Sequence, residues 1–181
     1  MLGRLVAIAA LAAGGVMLKK KMDQSQSSPT GSSFVEDSIE VDVPVRTAYN
    51  QFTQFEEFPR FMKGVDRIEQ IDDKRLHWVA SFGGNQHEWD AEITEQVPDE
   101  RIAWRSIDGK TNAGQVTFRP ADANKTEVTV EMDWEPEGLK EKIGGALGFD
   151  DRQIASDLER FEEVLDERGG RETGAWRGEQ H

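Results

Sequence analysis

From Gly64 to Trp134 the chain runs in short stretches of alternating apolar and polar residues, each ended by turn chemistry. A period of two repeated this often predicts an antiparallel sheet. The stretches are 65–71, 75–82, 86–96, 101–106, 114–119 and 127–134. Asp72-Asp73, Gly83-Gly84-Asn85, Pro98-Asp99, Asp108-Gly109 and residues 121–125 separate them, all short enough for hairpins. An earlier stretch, 38–43, places Ile39, Val41 and Val43 on one face and predicts a further strand. Pro44 then suits a helix start, and 45–52 has helical spacing. Phe55, Phe58, Phe61 and Met62 follow at helical intervals, with Pro59 dividing two short pieces.

The last predicted element is a long helix over 138–168. Leu139, Ile143 and Leu147 open its apolar stripe, weakened by Gly144, Gly145 and Gly148. Ile154, Leu158, Phe161 and Leu165 continue it more cleanly, and Gly169-Gly170 supplies a stop. Seven strands, two short helices after the first, and one long C-terminal helix predict an α+β fold. In it a curved antiparallel sheet wraps round the C-terminal helix.

Alternation also sorts the two faces of that sheet. Leu76, Trp78, Ala80, Phe82, Trp89, Ala91, Ile93, Ile102, Trp104, Val116, Phe118, Val128, Val130, Met132 and Trp134 fall inward. His77, Ser81, Glu88, Asp90, Glu92, Arg101, Arg105, Gln115, Thr117, Glu127, Thr129, Glu131 and Asp133 fall outward. Only 65–71 is ambiguous: one register turns Arg67 and Glu69 inward, and a bulge avoids it. General acid–base catalysis needs titratable groups in a secluded site. The inward face offers almost none, so no catalytic residue is assigned. The four inward tryptophans fill the core on one reading and line a gap for a flat apolar ligand on the other. His77 and His87 read as structural or solvated, and no acidic cluster has metal-loop spacing, so no metal site is expected.

Composition narrows the function classes further. The 181 residues contain no cysteine, which excludes disulfides, thiolate metal sites and a cysteine nucleophile. With 22 basic against 35 acidic residues the net charge is -13. A nucleic-acid binder needs a basic footprint, so no nucleic-acid partner is expected.

Residues 1–22 are of different character: Arg4, Lys19, Lys20 and Lys21 flank a stretch, 5–18, without polar side chains. As a helix that stretch spans roughly 21 Å, short of the ~30 Å hydrocarbon core unless Arg4 snorkels. A single-pass anchor with the lysines on the cytoplasmic side, a signal peptide and a surface-associated segment all remain open. The anchor is the preferred expectation, which places the folded domain on the cytoplasmic side of the cell membrane. Residues 23–37 read as a flexible linker, 38–168 as the domain and 169–181 as a polar tail.

Several motifs carry a resemblance. They are Val43-Pro44-Val45 entering a helix, the aromatic run from Phe55 to Met62, His87-Glu88-Trp89-Asp90-Ala91-Glu92-Ile93, Arg101-Ile102-Ala103-Trp104, and Asn112-Ala113-Gly114 before Val116-Thr117-Phe118. From about Ser38 to Arg168 the chain resembles the START-like superfamily (SRPBCC, helix-grip). Within it the likeness is to polyketide cyclase/dehydrase-type proteins close to coenzyme Q-binding START domains. The resemblance implies a ligand between sheet and long helix. Phe58, Phe61 and Met62 would then sit at the mouth, with Trp78, Trp89, Trp104, Phe118 and Trp134 as wall and Ile154, Leu158 and Phe161 as lid. It requires no cofactor. The expected partner is a hydrophobic small molecule (a lipid, an isoprenoid quinone or a polyketide-like aromatic), bound without catalysis by a membrane-tethered module. The alternatives are a cyclase/dehydrase-type enzyme recruiting Arg67, Glu69 or His77, and a structural or stress-related envelope protein with no ligand.

Overall fold

The computed structural model describes residues 33–82, 84–107, 111–135, 151–171 and 173–174. Strand β1 (Ser33–Val41) leads through Pro44 into helix α1 (Val45–Phe52) and a 3₁₀ helix (Phe55–Arg60). Strands β2 (Val65–Gln70), β3 (Arg75–Phe82), β4 (Asn85–Val97), β5 (Arg101–Ser106), β6 (Thr111–Asp122) and β7 (Lys125–Glu135) follow, then helix α2 (Asp151–Glu167). The expected curled seven-stranded α+β architecture is present. β2 to β7 form a continuous meander, and β1 pairs antiparallel with β7, in the order β1-β7-β6-β5-β4-β3-β2.

β1 is displaced from its expected position. It starts at Ser33 rather than Ser38, and Ser33–Asp37, inside the stretch read as linker, pair with Trp134–Val130. Val35 is buried and anchors this extension, which the surrounding Ser, Glu and Asp residues conceal. Val43 lies past the strand, where its carbonyl accepts a 2.8 Å bond from Thr126 Oγ1. Pro44 caps α1, its carbonyl receiving the amides of Thr47 and Ala48. The aromatic run makes one 3₁₀ helix with Pro59 inside it rather than two α-helical pieces. Phe55, Phe58 and Phe61 are three residues apart, the 3₁₀ repeat, and all three are buried.

A bulge between Val65 and Arg67 resolves the ambiguous strand. It keeps Val65 and Ile68 buried while Arg67 and Glu69 stay exposed and pair with each other at 3.7 Å. The wrong register would have placed two charges in the core. The core itself is one cluster on the concave face, joining Trp78, Trp89, Trp104 and Phe118 of the sheet to Phe52, Phe58, Phe61 and the α2 residues Ile154, Leu158 and Phe161. α2 ends where Gly169 and Gly170 take positive φ values of 59° and 68°, a conformation that favours glycine. The half of the predicted helix before Asp151 lies outside the described residues.

Gly114 has a distinct packing role. It pairs with Trp104 across β5 and β6, and a Cβ built on it would fall 2.3 Å from the indole Cζ2. Only a residue without a side chain lets Trp104 lie flat there. Gly114→Ala should therefore force the indole off its position and cost about 1–3 kcal/mol, the usual range for overpacking. Urea unfolding with near-ultraviolet circular dichroism checks this; wild-type stability with an unchanged aromatic spectrum would refute it.

Candidate functional site

The site lies where α2 crosses the concave face. Positions i, i+3, i+4 and i+7 of a helix share a face, so Ile154, Asp157, Leu158 and Phe161 point together towards the sheet. With Phe52 from α1, Phe61 and Met62 after the 3₁₀ helix, Trp104 from β5 and Val130 and Met132 from β7, they line a cavity of about 20 Å³. That is room for about one water molecule. Phe161 meets Phe52 and Phe61 with ring centroids 5.5 and 5.1 Å apart, so the seam is closed mainly by aromatic edges.

The sheet wall behind the cavity carries a three-indole stack. Trp78 lies 5.7 Å from Trp89 with the rings 16° from parallel, and 6.1 Å from Trp104 at 21°. Register produces the first pair, since Trp78 stands directly opposite Trp89 in the β3–β4 ladder. The indole Nε1–H groups of Trp78 and Trp104 are buried without a hydrogen-bond partner among the described residues.

Asp157 is the exception to the apolar lining. It is 4% exposed. Its Oδ1 accepts bonds from the Lys63 amide at 3.0 Å, Gln153 Nε2 at 2.6 Å and Arg160 Nη1 at 2.8 Å. Its Oδ2 is buried with no partner among the described residues. Burial pushes its carboxyl up to about 6, against the opposing pull of the Lys63 and Gln153 hydrogen bonds and the Arg160 and Lys63 charges. Arg160 also reaches the Phe61 carbonyl at 3.3 Å and Ser156 Oγ at 2.8 Å, tying α2 to the segment before β2.

A second polar tie sits at the rim. Arg168 Nη2 lies 2.6 Å from both carboxylate oxygens of Glu57, and Gln51 donates to Glu57 at 2.8 Å. Arg60 bonds Glu167 at 3.0 Å. Burial would raise the Glu57 carboxyl, but the hydrogen bonds from Gln51 and Arg168 and the charges of Arg168 and Arg60 outweigh it and hold it below its usual value.

Of the residues expected to contact a ligand, Phe61, Met62, Trp104, Ile154, Leu158 and Phe161 meet at this cavity. Phe58, Trp78, Trp89 and Phe118 are buried in the same core but do not border it. The side chain of Trp134 lies outside the described residues. The three groups considered as catalytic recruits are all away from it. Arg67 and Glu69 pair with each other in solvent, and His77 bonds Asp90 at 2.7 Å on the outward face. Among the described residues no group of three or more His, Asp or Glu is placed to hold a metal ion. No described helix is long and apolar enough to cross a membrane, and residues 1–22, on which the anchor expectation falls, lie outside the described residues.

Asp157 was not foreseen from the sequence. The signal was available: it falls three residues after Ile154 and four before Phe161, on the same stripe.

Comparison with known proteins agrees with this fold. Residues 41–162 match the family described as polyketide cyclase / dehydrase and lipid transport. The chain belongs to that family. It is 56% identical over 147 residues to an uncharacterized 17.2 kDa protein of Streptomyces lincolnensis, an overlap covering 81% of this chain and 97% of that one. A crystal structure from Deinococcus radiodurans superposes with a TM-score of 0.63 at 31% identity, over 76% of this chain and 98% of that one. The Zhui aromatase/cyclase from Streptomyces sp. R1128 superposes with a TM-score of 0.61 at 16% identity, over 76% and 96%, a likeness of fold.

The state of Asp157 gives a stability test with a definite sign. A carboxyl held near 6 in the fold, above its ordinary 3.8, favours folding when protonated. Its contribution is fully present below about pH 4 and is lost as pH rises through about 6. Asp157→Asn carries no charge and keeps one acceptor oxygen. It should gain on the native chain between about pH 4.5 and about pH 7.5 by on the order of 2 kcal/mol. Urea unfolding of both chains at the two pH values reads the difference, and parallel pH dependences would refute the assignment.

Proposed function

We propose that this domain is a non-catalytic binding module for a hydrophobic small molecule, of the class of a lipid, an isoprenoid quinone or a polyketide-like aromatic. Residues 1–22 hold it at a membrane, with the domain on the cytoplasmic side. The observation that carries the reading is the seam between α2 and the tryptophan-bearing sheet. It is lined by nine apolar side chains and Asp157, and it already contains a small cavity. Apolar walls with few polar groups are the usual makeup of a small-molecule site. The membership in a family named for cyclases and lipid transport, and the fold shared with an aromatase/cyclase, point the same way. A guest larger than one water requires α2 and the 3₁₀ helix to part. The ties between them, Glu57–Arg168 and Arg60–Glu167, are partly exposed ion pairs, which contribute little each. A tether beside a lipid-borne ligand raises the local concentration of both.

A second reading has one observation in its favour. A secluded carboxyl near 6 is a proper general acid or base. Among the described residues it stands without a second titratable group on the cavity, and the neighbouring Arg160 is spent on Asp157, Ser156 and Phe61. The third reading, a solid domain with no guest, rests on the small volume of the cavity.

Tryptophan emission separates binding from the solid domain. Adding a decyl-ubiquinone or oleate series to the full chain should quench it saturably, and Trp104→Ala should weaken the response at least about fivefold, as expected for losing one large apolar contact. Flat emission with no organic molecule in native mass spectra of protein taken from its own membranes would sink the reading.

A further inference from the structure

The cavity under α2 is closed to hydrogen bonding, although two of its lining residues carry oxygen or nitrogen. Among the described residues no such atom opens onto it. Asp157 borders it through carbon, its Oδ1 being turned to the Lys63 amide, Gln153 and Arg160, none of which lines the space. Trp104 borders it through ring carbons and lies flat on Gly114. The rest of the surface is aliphatic groups, phenyl rings and the thioethers of Met62 and Met132. A water needs about three polar partners and would find none here. An apolar group finds dispersion contacts instead, and rings and thioethers are polarisable partners for it. The volume of about 20 Å³ suits a group the size of a water, and a methyl is the apolar group nearest to that. Position matters as well. Phe61 and Met62 line it from beside the 3₁₀ helix and Ile154, Leu158 and Phe161 from α2, so a guest that parts these two elements meets it with its leading end.

We infer that the cavity is a methyl subsite. It takes the terminal methyl of an aliphatic chain, so the ligand enters tail first and keeps its polar head outside the seam. The inference rests on the binding reading above and narrows its ligand classes to one, an acyl lipid. A polyketide-like aromatic carries oxygen around its ring system, and a quinone carries it on both sides of its head. Either would press an oxygen against carbon without a hydrogen bond, which disfavours burial. An isoprenoid tail ends in two methyls on one carbon, more than the space holds. The head is left to solvent and is not read at this site.

Equilibrium dialysis of the full chain against dodecanoate, 2-hydroxydodecanoate and 12-hydroxydodecanoate tests this. The two hydroxy acids share one composition and differ only in which end carries the oxygen. The 2-hydroxy acid should bind within about threefold of dodecanoate, and the 12-hydroxy acid at least about tenfold more weakly. Val130, buried on β7, borders the cavity, and Val130→Ile adds one carbon to the lining. That change should weaken dodecanoate about fourfold, the equivalent of one buried methylene, and leave 12-hydroxydodecanoate nearly unchanged. Val130→Thr keeps the shape but sets a hydroxyl in the lining. It should bring the 12-hydroxy acid within about threefold of dodecanoate, and it decides the matter if the larger side chain does not fold. Equal binding of the two hydroxy acids, or affinities insensitive to both changes at Val130, would overturn the methyl subsite and leave the apolar binding reading standing. Failure of all three acids to bind overturns the subsite alone if decyl-ubiquinone still quenches the emission, and both readings if it does not.

Discussion

The fold depends on the contact between Phe161 of α2 and the paired rings of Phe52 and Phe61. A sheet with one apolar face must cover it, and here α1, the 3₁₀ segment and α2 together cover a face carrying three buried tryptophans and Phe118. Burial of a ring of this size stabilises by about 1.5–3 kcal/mol, and edge-to-face partners add about 0.5–1.5 kcal/mol. Phe52 is the hub: it touches Phe58, Phe61, Phe118 and Phe161, so α1, the 3₁₀ segment, the sheet and α2 meet on one side chain. The polar ties at the rim set where α2 lies along the sheet. The rings set how tightly it is held.

Against that background Asp157 is a local violation. A leucine would continue the stripe of Ile154, Leu158 and Phe161; the chain instead puts there a carboxylate whose charge the burial disfavours. The neighbourhood has been built to tolerate it rather than to remove it. Lys63 offers its amide, Gln153 reaches from one turn before and Arg160 from the following turn. Yet all three serve the same oxygen. A group kept for stability alone would have both oxygens satisfied, because an unmatched buried acceptor costs about 1–3 kcal/mol. Violations of pattern that persist with partial compensation mark function more often than stability.

Much of this was legible because strands with one buried face write their orientation into alternate residues. Arg75–Phe82 and Arg101–Ser106 follow the expected bounds, and the tryptophans at 78, 89 and 104 fall inward as the period of two requires. The spacing of Phe55, Phe58 and Phe61 has a period of three that passes for one of 3.6, since over one turn the two differ by less than a residue. β1 was cut short because Ser33 to Asp37 have the composition of a linker. Its pairing is supplied by β7, a hundred residues away, and no local pattern contains that partner. Val79 shows the same limit: it faces outward by alternation and is buried nonetheless, opposite Arg67 and Glu88. The stems of long charged side chains are suited to covering apolar surface in this way.

Asp157 was illegible for a different reason. Counting an apolar stripe selects the residues that fit it, so a polar residue at a stripe position drops out instead of standing out. The more informative reading asks which residues the geometry forces inward and then inspects their chemistry. Applied to α2, positions 154, 157, 158, 161, 164 and 165 are all buried, and only one of them is charged. Applied to the described residues of the sheet, the buried concave face is apolar apart from the indole N–H groups, Asn112 and Thr126, and carries no charge. Among the described residues the one charged group at the cavity is therefore the carboxylate on the helix. The helix that closes the core is also the element that brings its only charge to the cavity.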